Sequence, residues 1–140
     1  MNAKTMRSAG QSGFTLIELL IAISIVGILA AIAIPSYVEY LRRGAAEEGT
    51  AALADGRVAL EQYYLDNKTY KDGPCPASTS KFKIVCDDPS VPDDKGYTIK
   101  AVGFGNMDSF TYTIDQTGLR TTDGPWGSDN CFITKKGRTC

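Results

Sequence analysis

Residues 14–34, FTLIELLIAISIVGILAAIAI, make one apolar run that contains a single charged side chain, Glu18. As a helix this run would be about 31 Å long, which matches a bilayer's hydrocarbon core. It therefore reads as a membrane segment, and its 21 residues hold 12 of the chain's 26 Ile, Leu and Val residues. Residues 1–13 before it are polar and carry two cations, Lys4 and Arg7, without an acid. From about Tyr37 onward the composition is polar enough for a small soluble domain. That domain has fewer than about 110 residues, a size at which one core is thin and covalent staples are common.

Three readings of the N-terminal segment compete. In a secretory signal peptide, Ala31-Ile32-Ala33 would mimic a peptidase site, and a monomeric secreted binding protein would follow. A plain anchor explains the length of the run. Neither explains Glu18, a carboxylate that costs on the order of 2.5–3.5 kcal/mol at mid-membrane depth and less near the interface. A cut between Gly13 and Phe14 accounts for it, because a new cationic amine then appears four residues before Glu18. Between two chains offset along a shared axis, that pair can select a register, since an unpaired buried carboxylate is penalised.

The cysteines bear on the compartment. Cys75, Cys86, Cys131 and Cys140 contain no Cys-x-x-Cys pair, and histidine is absent, which argues against a zinc site. An even cysteine count behind a membrane-targeting segment reads as disulfides on an oxidising side. Four cysteines allow three connectivities. Cys75–Cys86 and Cys131–Cys140 would each close a short local loop around turn-forming residues. Positive-inside counting is a tie, with Lys4 and Arg7 before the run and Arg42 and Arg43 after it. The cysteines break that tie and place the soluble part outside the cytoplasm. Lack of histidine also removes Ser-His-Asp and Cys-His catalysis, and no other catalytic constellation stands out, so the chain does not read as an enzyme.

Gly13-Phe14-Thr15-Leu16-Ile17-Glu18-Leu19, after a short basic leader and before an apolar helix containing Pro35, resembles the class III signal of type IV prepilins. The resemblance continues through IVGILAAIAIPSYVEYLRR to about Arg43, and YYLDNKTY at 63–70 resembles the helix end of PilE-type pilins. It implies a leader of residues 1–13 removed by a prepilin peptidase after Gly13, and N-methylation of the new terminus Phe14. It also implies that Glu18 serves methylation and subunit docking. In the fibre, the helix would be partly unwound between Gly27 and Pro35, the two poorest helix formers in the run. The implied layout is 1–13 leader, 14–35 transmembrane and polymerisation segment, and 36–140 periplasmic head. Before assembly the chain would sit in a bacterial inner membrane, and afterwards in an extracellular fibre. Its partners would be other pilin subunits, the peptidase and the pilus assembly machinery. A type II secretion pseudopilin is the rival within the superfamily. Major or minor status, and a task in adhesion, motility or DNA uptake, stay open.

Beyond the anchor, Ala46, Gly49, Leu53, Gly56, Leu60 and Tyr63 recur at spacings of three and four, an apolar stripe on a continuing helix. Helix signals fail near Asn67, and Asp72-Gly73-Pro74 makes a break. Residues 82–86, 97–104, 110–115 and 119–122 read as strands, with a turn at 115–118. The expected fold class is α+β, one long helix packed on a small antiparallel meander. Asp87, Asp88, Asp93 and Asp94 lack the ligand spacing of an EF-hand loop and read as solvated turns, so no metal or cofactor is expected. Finally, Lys135, Lys136 and Arg138 fall within the Cys131–Cys140 run, downstream of Trp126, and are candidate contacts for an anionic surface or nucleic acid.

Overall fold

The computed structural model describes residues 13–86 and 96–140. The four aspartates compared with an EF-hand loop, Asp87, Asp88, Asp93 and Asp94, lie outside them, as do Lys4 and Arg7. The chain divides into two compact units, Met1–Tyr37 and Val38–Cys140. One helix, α1 (Leu16–Asn67), supplies the described secondary structure of the first unit and opens the second.

Within the second unit α1 buries Ala45, Ala46, Gly49, Thr50, Leu53, Gly56 and Leu60. This is the stripe that the three-four spacing predicts, with one addition. Thr50 is polar but satisfies its hydroxyl locally, on the carbonyls of Ala46 at 3.0 Å and Glu47 at 3.1 Å. Four strands follow: β1 (Phe82–Val85), β2 (Thr98–Gly103), β3 (Thr111–Asp115) and β4 (Arg120–Asp123). They form an antiparallel sheet in the order β1-β2-β3-β4, so each strand pairs with its sequence neighbour. A short 3-10 turn, Gly105–Met107, links β2 to β3.

Alternation along the strands fixes which face meets the helix. Ile99 and Ala101 of β2 and Tyr112 and Ile114 of β3 are fully buried, as is Phe82 at the start of β1. The register places Ile99 opposite Ile114 and Ala101 opposite Tyr112, so the inward side chains form continuous rows beneath the helix. Phe82 packs against Tyr112 with ring centroids 5.6 Å apart.

At the upper end of α1, Glu61 links helix, loop and sheet. One carboxylate oxygen accepts the Tyr97 hydroxyl at 2.9 Å, and the other accepts the Tyr70 hydroxyl at 3.2 Å. Burial first, then the Glu61 hydrogen bond and charge, push the Tyr97 phenol up from its ordinary value. Tyr70 shifts in the same direction for the same reasons.

The segment after β4 is anchored on a single side chain. The Thr122 hydroxyl donates to the Cys131 carbonyl at 2.6 Å and accepts the Ile133 amide at 2.9 Å. Backbone bonds join Thr122 and Asp129 in both directions, and Tyr112 donates its buried hydroxyl to the Ile133 carbonyl at 2.8 Å. The returning chain is thereby held along the outer edge of β4.

Candidate functional site

Two regions carry side chains that the fold leaves unused. The first is the N-terminal part of α1. Phe14, Leu16, Ile17, Leu19 and every large aliphatic residue from there to Ile34 are exposed. This helix is long and apolar enough to cross a membrane. A helix that is apolar on all sides has no stable position in water, so its partners must be lipid or other apolar helices.

Its start is chemically specific. The backbone amide and the hydroxyl of Thr15 both donate to Glu18 Oε2, each at 2.9 Å. In return the Glu18 amide donates to Thr15 Oγ1 at 3.3 Å. This is a capping box: Thr15 ends the non-helical lead-in, and the acid three residues later satisfies free amides of the first turn. The Thr-x-x-Glu spacing in the sequence carries this signal, which the charge argument for Glu18 passes over. Gly13 and Phe14 precede the helix and are exposed. Further along, Ser24 donates to the Leu20 carbonyl at 2.7 Å and Ser36 to the Ile32 carbonyl at 3.1 Å, so neither hydroxyl faces the apolar surroundings unpaired. α1 runs through both Gly27 and Pro35 without interruption.

The second region lies between β4 and the C-terminal loop. Sulfurs join Cys131 to Cys140, with Cα atoms 5.9 Å apart, and Cys75 to Cys86, with Cα atoms 5.8 Å apart. Inside the Cys131–Cys140 loop the Arg138 amide donates to the Lys135 carbonyl at 3.3 Å. Gly137 turns the chain there with φ of +78°, a conformation that L side chains rarely adopt. Lys135, Lys136 and Arg138 are exposed on this turn.

Between loop and strand lies a cleft of about 420 Å³, lined among others by Arg120, Asn130, Phe132, Thr134 and Arg138. The Arg120 guanidinium carbon sits 5.4 Å from the Phe132 ring centroid, a cation–π arrangement. Phe132 in turn meets Tyr112 edge-on at 5.9 Å. The aromatic residue beside the cations is thus Phe132. Trp126, which the sequence places just upstream, packs edge-on against Phe110 at 4.6 Å on the core side. Of the cations that the sequence singles out, Arg138 lines the cleft. Arg120, Phe132 and Asn130 join it through folding, since β4 and the returning chain meet only in three dimensions. Among the described residues, no Asp or Glu side chain lines the cleft.

Comparisons with known proteins cover the N-terminal segment and the chain as far as Cys131. The model of the prokaryotic N-terminal methylation motif matches residues 8–34. That of the type IV minor pilin ComP, DNA uptake sequence receptor, matches residues 35–131. The type IV major pilin protein PilE1 of Neisseria gonorrhoeae is 37% identical over 110 residues, covering 78% of this chain and 56% of that protein. Fimbrial protein Q of Moraxella bovis is 46% identical over 63 residues, covering 45% of this chain and 40% of its own length. The chain therefore spans about half the length of these relatives. Among solved structures, the minor pilin PilV of Neisseria meningitidis superposes with a TM-score of 0.56 at 18% identity, covering 68% of this chain and 99% of that one. That last likeness concerns the fold.

Proposed function

This chain belongs to the type IV pilins, in the family of the minor pilin ComP, and from that premise we propose that it is a structural subunit polymerised into a pilus through its N-terminal helix. The observation that carries the proposal is the exposed apolar stretch of α1, headed by Glu18 and preceded by Gly13-Phe14. Such a surface is a liability in a monomer and an interface in a fibre. In this reading a prepilin peptidase removes residues 1–13 and the exposed Phe14 amine is methylated. The shortened chain waits in the inner membrane with its head in the periplasm. Leader removal takes away Lys4 and Arg7 and shifts the formal net charge from −1 to −3. Docking pairs the Phe14 amine with Glu18 of a neighbour, and helix unwinding between Gly27 and Pro35 accompanies it. Mass spectrometry of the processed protein tests the first step. It should show a chain beginning at Phe14 with one added methyl group. A terminus at Ile34, as cleavage after Ala33 would leave, sinks the reading.

A second function is favoured by the cleft beside β4. The matched family is described as a DNA uptake sequence receptor, and the cleft gathers Arg120 and Arg138 beside Lys135 and Lys136 on a chain of net charge −1. In this reading the subunit contacts DNA through that local positive patch. A mobility shift of labelled DNA with the purified full chain, weakening steeply as salt rises, is the expected result. A shift that ignores salt, or none at all, counts against it.

A further inference from the structure

We propose that the groove between α1 and the chain leading into β1 holds the headgroup of a phosphoethanolamine lipid while the protein is anchored in a bilayer. This rests on the membrane-anchored reading above and goes further, to the lipid that the second unit takes. Residues 19–38, between Glu18 and Glu39, form the longest uncharged stretch of α1. As a helix that stretch is about 30 Å long, the thickness of a hydrocarbon core. Residues just past it enter the headgroup layer, which adds about 5–8 Å on each side. Tyr40, Leu41 and Arg43 fall there, within about 8 Å of helical rise beyond Val38.

These three residues line a groove of about 570 Å³ whose other wall carries Ser80 and Lys81. Tyr40 is 70% exposed and Leu41 45%, an aromatic and an aliphatic side chain suited to the boundary between headgroups and acyl chains. Arg42 is tied to the head, where its Nε donates to the Asn106 carbonyl at 3.0 Å, and Arg43 is the arginine that lines the groove. Ser80 donates through its hydroxyl to Glu48 Oε2 at 3.2 Å and through its amide to Oε1 at 3.4 Å. That tie holds the next residue, Lys81, against the helix.

Charges in the groove balance, with Arg43 and Lys81 set against Glu47 and Glu48. A purely anionic headgroup would meet two carboxylates there. A headgroup that carries both signs finds a partner for each. The order of the charges fits as well. Glu47 lies about one turn beyond Arg43, some 6 Å farther along α1 from the uncharged stretch. In a phosphoethanolamine lipid the phosphate adjoins the glycerol, and the ammonium lies outermost, two carbons away. Arg43 then takes the phosphate and Glu47 the ammonium, each through charge-assisted hydrogen bonds. A choline headgroup carries the same charges but has no N–H to donate to a carboxylate.

The test offers the full chain, in detergent micelles, phospholipids with identical acyl chains and ethanolamine, glycerol or choline headgroups. Native mass spectrometry counts the lipid retained. Wild type should keep the ethanolamine lipid about tenfold better than either of the others. Arg43 and Glu47 are exposed, so their variants should melt as wild type does. Glu47→Gln should erase the preference over the glycerol lipid, and Arg43→Gln should weaken both. Combining Arg43→Glu with Glu47→Arg keeps the net charge, reverses the order and should abolish the ethanolamine preference. Equal retention of the three lipids, preference for the glycerol lipid, or an undiminished ethanolamine preference in the exchanged variant overturns the inference. So does a second protein chain retained in place of lipid, which would assign the groove to a neighbouring copy. Flotation with vesicles of each lipid separates the two readings. A chain that floats with all three but shows no preference leaves the anchored reading standing, whereas one that floats with none removes both.

Discussion

Glu18 has two possible partners, and its own Thr15 holds it in the isolated chain. Docking in a fibre would exchange those neutral donors for a cationic amine on a neighbour, a stronger hydrogen bond in an apolar setting. Glu18→Val should leave membrane insertion intact, because a carboxylate is removed from lipid. It should also leave cleavage after Gly13 intact and lower recovery in sheared fibres by roughly two orders of magnitude or more, since breaking a buried pair costs about 3–5 kcal/mol. Wild-type recovery at matched expression would rule Glu18 out as an assembly residue. Glu18 draws attention in the sequence because an unexplained charge in an apolar run demands a partner. Arg120 was not, since its pairing with Phe132 spans twelve positions and exists only once β4 and the returning chain are adjacent. Tyr97 makes a different residue-scale case. Its phenol is raised in the folded state, mainly by burial, so the unfolded chain loses that proton first as pH rises. Its contribution to stability is therefore complete below about pH 10, the ordinary tyrosine value, and falls away above it. Around it stand Glu61, Tyr70 and Arg57. Thermal melts from pH 8 to 12 should show a decline above pH 10 that is shallower in Tyr97→Phe. Parallel declines would remove Tyr97 from the account.

The helix–sheet contact depends on how closely α1 can approach the strands. A methyl group added at Gly49 would lie 2.7 Å from Phe82 Cδ2, and Phe82 is fully buried, so the ring cannot move aside freely. At Gly44, one turn or so earlier on the same helix, nothing lies within 4 Å. The two glycines thus share a helix propensity and differ in surroundings. Gly44→Ala should raise stability by up to about 1 kcal/mol, the propensity gain alone. Gly49→Ala should lose that gain to overpacking and lower stability by about 1–2 kcal/mol. Chemical denaturation of the two variants measures both, and a Gly49→Ala more stable than wild type would show that the sheet can retreat. The stripe through Leu53 and Leu60 was readable from spacing, as were β2 and β3 from alternation and the turn from Asp115-Gln116-Thr117-Gly118. What spacing could not reveal was that Thr122 pins the C-terminal chain, because a buried threonine looks the same in sequence as an exposed one.

For the molecule as a whole, the buried apolar side chains all lie on one side of a boundary, and an unbroken stretch of exposed ones lies on the other. Every core side chain lies between Ala45 and Ile133, within the unit Val38–Cys140. Large apolar residues from Phe14 to Ile34 are all exposed, within the unit Met1–Tyr37. The contrast between an exposed apolar segment and a packed unit was readable in the sequence, because the aliphatic residues are so unevenly spread. The shape of the cleft beside β4 was not, because it depends on tertiary return of the chain. Since no described residue of the first unit is buried, removal of that unit takes no described side chain from the core and removes the main reason to associate with lipid or with other chains. A fragment beginning at Val38 should therefore fold cooperatively and stay monomeric in water, with Ala45, Ala46 and Leu53 still buried against Phe82 and the strands. The first turn of its helix would lack a cap, at a cost of about 1 kcal/mol, and would fray without reaching Ala45. Circular dichroism melts and sedimentation of the fragment, beside the full chain in detergent, decide the matter. A fragment that is unfolded, or that aggregates while the full chain is ordered, would mean that the head needs its anchor to fold and that the two units are one cooperative body.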